Sequence, residues 1–189
     1  MNVHSIDSNN LEDYYKKLFK YHAQHEPIEV KAFHNDIIRC ANECETIGEL
    51  GVFQGCTLAA ILMTKPKQVY ATDITLKTIN PWIKLFQEYA KDNKINLTFN
   101  EMSSTDSRCV KQVDMLHIDS FHNPNHLRQE LKMHENSVKK YIVFHDTKSR
   151  NSSLQSVIVE MINSKIAWAI DTHYTKGNAG HTVIKRIGF

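Results

Sequence analysis

The stretch Glu45-Thr-Ile-Gly-Glu-Leu-Gly-Val-Phe-Gln-Gly-Cys-Thr-Leu-Ala-Ala-Ile-Leu62 constrains the fold of this chain more than any other part of it. Thr46 to Leu50 is a short, mostly apolar run that reads as a buried strand. Gly51 and Gly55 then break the pattern, and Thr57 to Met63 are helix formers with an apolar face. A strand, a glycine turn and a helix make the front half of a βαβ unit. A turn that brings backbone N–H groups close to a ligand cannot carry a Cβ, and the helix start beyond it supplies partial positive charge. The spacing is Glu49-x-Gly51-x-x-x-Gly55, with Phe53 where a Gly-x-Gly-x-x-Gly fingerprint has its middle glycine. Gln54-Gly55-Cys56 also lacks the Gly-Lys-Ser/Thr of a phosphate-cradling loop. An acid at the strand end ahead of the turn suits a ligand with a cationic amine and no phosphate.

A chain of 189 residues fits one domain with a substantial core. Hydrophobic content of 41% and charged content of 23% fit a globular protein. A formal charge of +2 gives no ground for nucleic acid or an anionic membrane as partner. No apolar run approaches the roughly 20 residues needed to span a bilayer. Met1 to Asp7 is polar and lacks the apolar core of a signal peptide, so a cytoplasmic location is expected. The four cysteines form no Cys-x-x-Cys pair and read as free thiols.

Taken in order, residues 9–25 carry Leu11, Tyr14, Tyr15, Leu18 and Phe19 at helical spacing. This helix, and a second from Val30 to Asn42, precede the first strand. Residues 1–43 are therefore an N-terminal helical part that packs on the core, covers a substrate or makes a dimer contact, and residues 44–189 form the core itself. Gln68 to Asp73 is a second apolar run ending in an acid, where nucleotide-binding α/β folds bond a ribose diol. A helix follows over Pro81–Asp92, with Trp82 and Phe86 read as core. A third strand runs over Ile95–Phe99, and later helices over Asn125–Asn136 and Asn151–Asn163. Ile166–Asp171 and His181–Ile187, separated by Gly177, Asn178 and Gly180, read as an antiparallel hairpin. His117 lies inside a strand and reads as a core residue, while His126, His134 and His173 read as solvated.

Two segments carry the chemistry. Val113 to Ile118 is a strand with Asp119 at its carboxyl end and His122 three residues on. Lys140 to Phe144 is another, ending in His145-Asp146. As parallel neighbours these strands bring Asp119, His122, His145 and Asp146 to the sheet edge where open α/β folds bind ligands. Carboxylates and imidazoles converging there suit a divalent cation or a proton acceptor.

With the glycine turn, the pair His117-Ile-Asp-x-x-His122 and Phe144-His-Asp-Thr147 resembles the class I S-adenosylmethionine-dependent methyltransferases over residues 45–147. The branch it is similar to includes cephalosporin-hydroxylase-like and sugar or natural-product O-methyltransferases. The chain departs from that branch at Ser120, in place of a glycine, and at Ser137-Val-Lys-Lys140, in place of a Pro-Gly-Gly segment. The resemblance implies a three-layer Rossmann-like α/β domain, residues 1–189, with a seven-stranded, mostly parallel sheet and one antiparallel strand near the carboxyl terminus. It implies methyl transfer from S-adenosylmethionine to a hydroxyl of a small molecule, such as a sugar. Glu49, Gly51, Phe53, Gly55 and Asp119 would then line the methionine part of the cofactor, Asp73 the ribose, and Met102 and Ser103 the adenine. A magnesium or other divalent cation would lie on Asp119 with His145 or Asp146, or with Asp146 and Thr147. His122 would be the general base, with Asp119 and His145 beside it in catalysis. The alternatives are a metal-independent enzyme with a histidine base, and a non-catalytic protein that binds the same cofactor. A homodimer through the aromatic N-terminal helix is a further expectation.

Overall fold

A computed structural model describes residues 6–24, 26–148, 154–164 and 167–188 of the chain. Residues 1–5 of the polar N-terminal run, residue 25 of the first helical pattern, 151–153 of the last one and 166 of the hairpin lie outside the described residues.

In α1 (Leu11–His22) the side chain of Asn10 accepts the Asp13 N–H at 2.9 Å, capping a helix that buries Leu11, Tyr14 and Leu18. Helix α2 (Pro27–Ala41) begins at Pro27, where the missing N–H has no intrahelical partner to lose. There follow β1 (Thr46–Leu50), α3 (Cys56–Met63), β2 (Gln68–Asp73), α4 (Ile83–Asp92), β3 (Asn96–Glu101) and β4 (Val113–Ile118). The chain continues with α5 (Pro124–His134), β5 (Val138–His145), α6 (Leu154–Ser164), β6 (Trp168–Tyr174) and β7 (His181–Arg186). Strand β5 starts at Val138, so much of the Ser137–Lys140 segment is paired strand.

The seven strands lie in the order β3-β2-β1-β4-β5-β7-β6. Only β7 is reversed, antiparallel to β5 and β6, as the sequence led us to expect. The central strands β1 and β4 are buried almost throughout. That explains their near-continuous apolar composition, because helices cover both faces of the sheet. Alternation along the strands sorts side chains between the two faces. Ile47, Met115, Tyr141, Val143 and Val183 join the core beneath α1–α4, and Leu50, Leu116, Ile118, Ile142 and Phe144 join the core beneath α5 and α6. By the same parity Glu49, His117 and His145 point toward the first core. Among the described residues, no helix is long and apolar enough to cross a membrane.

Candidate active site

Strand order changes direction between β1 and β4, and the crevice beyond their carboxyl ends is where open α/β sheets bind ligands. The two chain segments touch there. The Asp119 N–H donates to the Leu50 carbonyl at 2.8 Å. Gly51 has φ +92°, and a Cβ on it would overlap the Asp119 carbonyl and approach Ser120 Cα to 2.9 Å. Gly55, at φ +77°, is the N-cap of α3, and a Cβ there would come 2.7 Å from Ile79 and Phe86. Both glycines are therefore required by conformation and by space. Asp73 holds the turn between them: one carboxylate oxygen accepts the Val52 and Phe53 N–H groups, each at 2.9 Å. Its other oxygen accepts the Thr75 N–H at 3.2 Å. The Tyr14 hydroxyl donates to the Gln54 carbonyl at 2.6 Å, fastening α1 to the same turn.

At the β4–β5 side, His122 Nε2 lies 3.1 Å from Asp119 Oδ1 and 3.0 Å from Asp146 Oδ2. His145 Nδ1 is buried without a hydrogen-bond partner among the described residues, 3.5 Å from Asp119 Oδ1 and 3.6 Å from Asp146 Oδ2. Burial works against the charge of Asp119, but His145 and His122 hold its carboxyl well below the usual range. Burial likewise opposes the His145 charge, and Asp119 outweighs it, pushing the imidazole up to about 10. His122 is raised by its hydrogen bond to Asp119 and by the charge of Asp146. Donor atoms of Asp119, His145 and Asp146 all lie within 4.8 Å of one another. Metal–ligand bonds of about 2.0–2.4 Å allow opposed donors at most about 4.8 Å apart, so the cluster fits a divalent cation. Two carboxylates with one imidazole suit manganese better than magnesium, since nitrogen is a poor magnesium ligand.

Beneath the crevice, Glu49 and His117 are register partners on β1 and β4, which puts their side chains next to each other on one face. Both are fully buried, with His117 Nδ1 3.2 Å from Glu49 Oε1. Burial raises the Glu49 pKa, and His117 opposes that shift. The Phe33 ring of α2 packs against His145 at 4.3 Å and against His117 and His181 at 5.5 Å each. Burial pushes neighbouring His34 down to about 3, so it is neutral.

Above these groups a cavity of about 690 Å³ runs from Asp73 and Ser103 to His122 and Asp146. A second lobe of about 320 Å³ reaches under α2 past Gln54 and Cys56. Asp119, His145, Gly51 and Phe53 border both. Asp73 and Ser103 are thus at the cavity, joined by Ser104, which the sequence did not single out, and by His126, which reads from the sequence as solvated but is half-buried at the cavity wall. Met102 does not border either lobe; it packs against the core beneath α5 and α6, because its side chain falls on the opposite side of the chain from Ser103. Glu49 is fully buried and likewise borders neither lobe. His134 is buried and not solvated as expected, since its Nε2 bonds the Ser104 carbonyl at 2.7 Å. All four cysteines are free thiols.

This strand order, with its glycine turn and its acids after β2 and β4, is the class I S-adenosylmethionine-dependent methyltransferase fold. No family model matches the sequence, and no curated protein is similar to it. Solved structures are similar in fold. The O-methyltransferase TomG of Streptomyces achromogenes, involved in tomaymycin synthesis and bound to S-adenosylmethionine, matches with a TM-score of 0.61 at 12% identity, over 97% of this chain and 92% of that one. An O-methyltransferase from Bacillus cereus, in complex with S-adenosylhomocysteine, matches at 0.61 and 13% identity, over 96% and 93%. A ribosomal protein L11 methylase from Lactobacillus delbrueckii subsp. bulgaricus matches at 0.55 and 17% identity, over 81% and 78%. The fold is thus shared by enzymes with small and macromolecular acceptors, and the acceptor has to be argued from the site.

Proposed function

We propose that this chain transfers the methyl group of S-adenosylmethionine to a hydroxyl oxygen of a small molecule, sugars being the first class to test. Asp119, Asp146 and His145 would hold a divalent cation beside the acceptor. The reading is carried by one observation: a single cavity joins Asp73 and the glycine turn at one end to Asp119, His122 and Asp146 at the other. Methyl transfer is a displacement in which the acceptor oxygen must lie in line with the sulfonium methyl, so the protein's main work is alignment. Gly51, Phe53 and Gly55 shape the floor under the methionine part. Asp73 bonds the ribose through the oxygen it does not spend on the turn, and Ser103 and Ser104 face the base. The cation, when bound, supplies Lewis acidity that lowers the pKa of the acceptor hydroxyl. His122 takes the proton in this reading. The N-terminal helices roof the acceptor side, a homodimer would form through them, and a cytoplasmic setting suits the free thiols.

The test is transfer of labelled methyl from S-adenosylmethionine to a panel of hydroxylated sugars and aromatic natural products, with manganese, magnesium or EDTA. Activity that EDTA removes and manganese restores is expected; no transfer to any hydroxyl would sink the reading. A metal-independent enzyme is the second reading. It is favoured by His122 Nε2 already bridging both carboxylates, an arrangement able to orient a histidine base without a cation. Activity that survives EDTA would select it.

A further inference from the structure

Helix α5 turns one face to the sheet, with Leu127, Glu130, Leu131 and His134 buried along it. Glu130 is the anomaly in that stripe. It is 1% exposed, between Leu127 at 3% and Leu131 at 7%, and among the described residues no lysine or arginine pairs with it. A carboxylate taken out of water costs stability unless its oxygens find donors. One donor is the Ser120 hydroxyl, 2.5 Å from Oε1, the length of a charge-assisted O–H···O bond. His126 Nε2 stands 3.4 Å from the same oxygen and 2.8 Å from the Ser104 hydroxyl. A leucine would suit this position better, so packing does not account for the carboxylate.

What Glu130 holds is the loop between β4 and α5. Ser120 is one of the places where the chain departs from the methyltransferase branch it resembles, which has glycine there. A glycine has no hydroxyl to offer, so this anchor exists only through that departure. The preceding residue, Asp119, is fixed on its amino side by its own N–H bond to the Leu50 carbonyl at 2.8 Å. Its carbonyl side packs against Gly51, where an added Cβ would come 2.9 Å from Ser120 Cα. That contact stops the loop from moving toward β1, and the Ser120–Glu130 bond stops it from lifting away. The Asp119 side chain therefore lies between two anchors, one on β1 and one on α5, with Oδ1 3.1 Å from His122 Nε2.

A cation site needs such support. Donor atoms of Asp119, His145 and Asp146 lie within 4.8 Å of one another, which leaves little slack for one ion to bridge them. Ligand positions have to hold to about 0.5 Å for such a set to work. Strand β4 ends at Ile118, so Ser120 is past the ladder and takes its position from side-chain contacts.

We propose that Glu130, acting through the Ser120 hydroxyl, is a positioning residue that sets the Asp119 carboxylate for the cation and for His122. This rests on the cation-assisted reading above. The test is manganese titration of the full chain, followed by electron paramagnetic resonance, with melting temperatures measured on the same proteins. Ser120→Ala should bind manganese about tenfold more weakly than wild type while melting within about 4 °C of it. Glu130→Leu should weaken binding by the same factor, because it removes the acceptor and keeps the packing. Glu130→Gln, whose amide oxygen still accepts the Ser120 hydroxyl, should stay within about threefold of wild type. The double variant Ser120→Ala with Glu130→Leu should bind no more weakly than either single one. Wild-type manganese affinity in Ser120→Ala and Glu130→Leu, or losses that multiply in the double variant, would overturn the proposal and leave the cation site standing. Absence of manganese binding by wild type would remove the cation site and the proposal together.

Discussion

Asp73 carries two duties, and its substitution separates them. One oxygen accepts the Val52 and Phe53 N–H groups at 2.9 Å each, and Phe53 is held at φ +48° with its ring 60% exposed. A left-handed residue costs about 1–2 kcal/mol, and an exposed ring recovers little of that by packing, so the carboxylate is what fixes the turn. Hydrogen bonds to a charged group contribute about 1.5–3 kcal/mol each, and neutral ones about 1. Part of the loss returns through solvation, because the Phe53 amide is exposed. Asp73→Ala should then destabilise the protein by about 2–4 kcal/mol, and Asp73→Asn, which keeps an acceptor oxygen, by about 1–2. At roughly 2–4 °C per kcal/mol for a chain of this size, the alanine variant melts about 5–15 °C lower. Guanidinium and thermal unfolding of the three proteins measure this. If the carboxylate also bonds the ribose, Asp73→Asn loses affinity for S-adenosylhomocysteine by more than its small loss of stability explains. An alanine variant within 0.5 kcal/mol or so of wild type would refute the claim that Asp73 holds the turn.

Other consequences follow from contacts elsewhere. Burial works against the charge of Asp114, but donors from Glu45 and Thr46 outweigh it and lower its pKa from 3.8. Its stabilisation is therefore complete above pH 3.8 and lost as pH falls below that; Asp114→Asn should flatten this part of the acid-unfolding curve. Glu29 accepts the N–H groups of Asn178, Ala179 and Gly180, and a Cβ on Gly177, at φ +108°, would overlap its carboxylate. Gly177→Ala should cost about 2–4 kcal/mol by chemical denaturation, with little further loss when combined with Glu29→Ala. Asp119→Ala should abolish manganese binding, read by electron paramagnetic resonance, and turnover with it, while S-adenosylhomocysteine affinity changes by less than about tenfold. Unchanged manganese binding would remove Asp119 from the cation site.

Much of the fold was legible because each central strand is an apolar run ended by an acid or a glycine, as at Leu50-Gly51, Thr72-Asp73 and Ile118-Asp119. The convergence of Asp119 and Asp146 was legible for a related reason: residues just past neighbouring parallel strands must meet at one edge. What stayed hidden depends on pairing between distant segments. Glu49 read as a ligand for the cofactor's amine, but register on β1 and β4 sets it against His117 in a buried pair. Asp73 showed as an acid at a strand end, with no local sign that it would clasp the amides of Val52 and Phe53. Ser104, His126 and His134 come from a loop and a polar helix, and their meeting follows only from α5 packing over the β3–β4 connection. Met102 and Ser103 both read as neighbours of the adenine, yet Ser103 borders the cavity and Met102 packs against the core beneath α5 and α6, because consecutive side chains leave the chain on opposite sides.

The most direct test of the central claim is a calorimetric titration of the full chain with S-adenosylmethionine and S-adenosylhomocysteine, with and without manganese. The account predicts saturable one-to-one binding of both nucleosides, weakened by Asp73→Asn. No binding of either would contradict it, leaving the glycine turn as architecture alone.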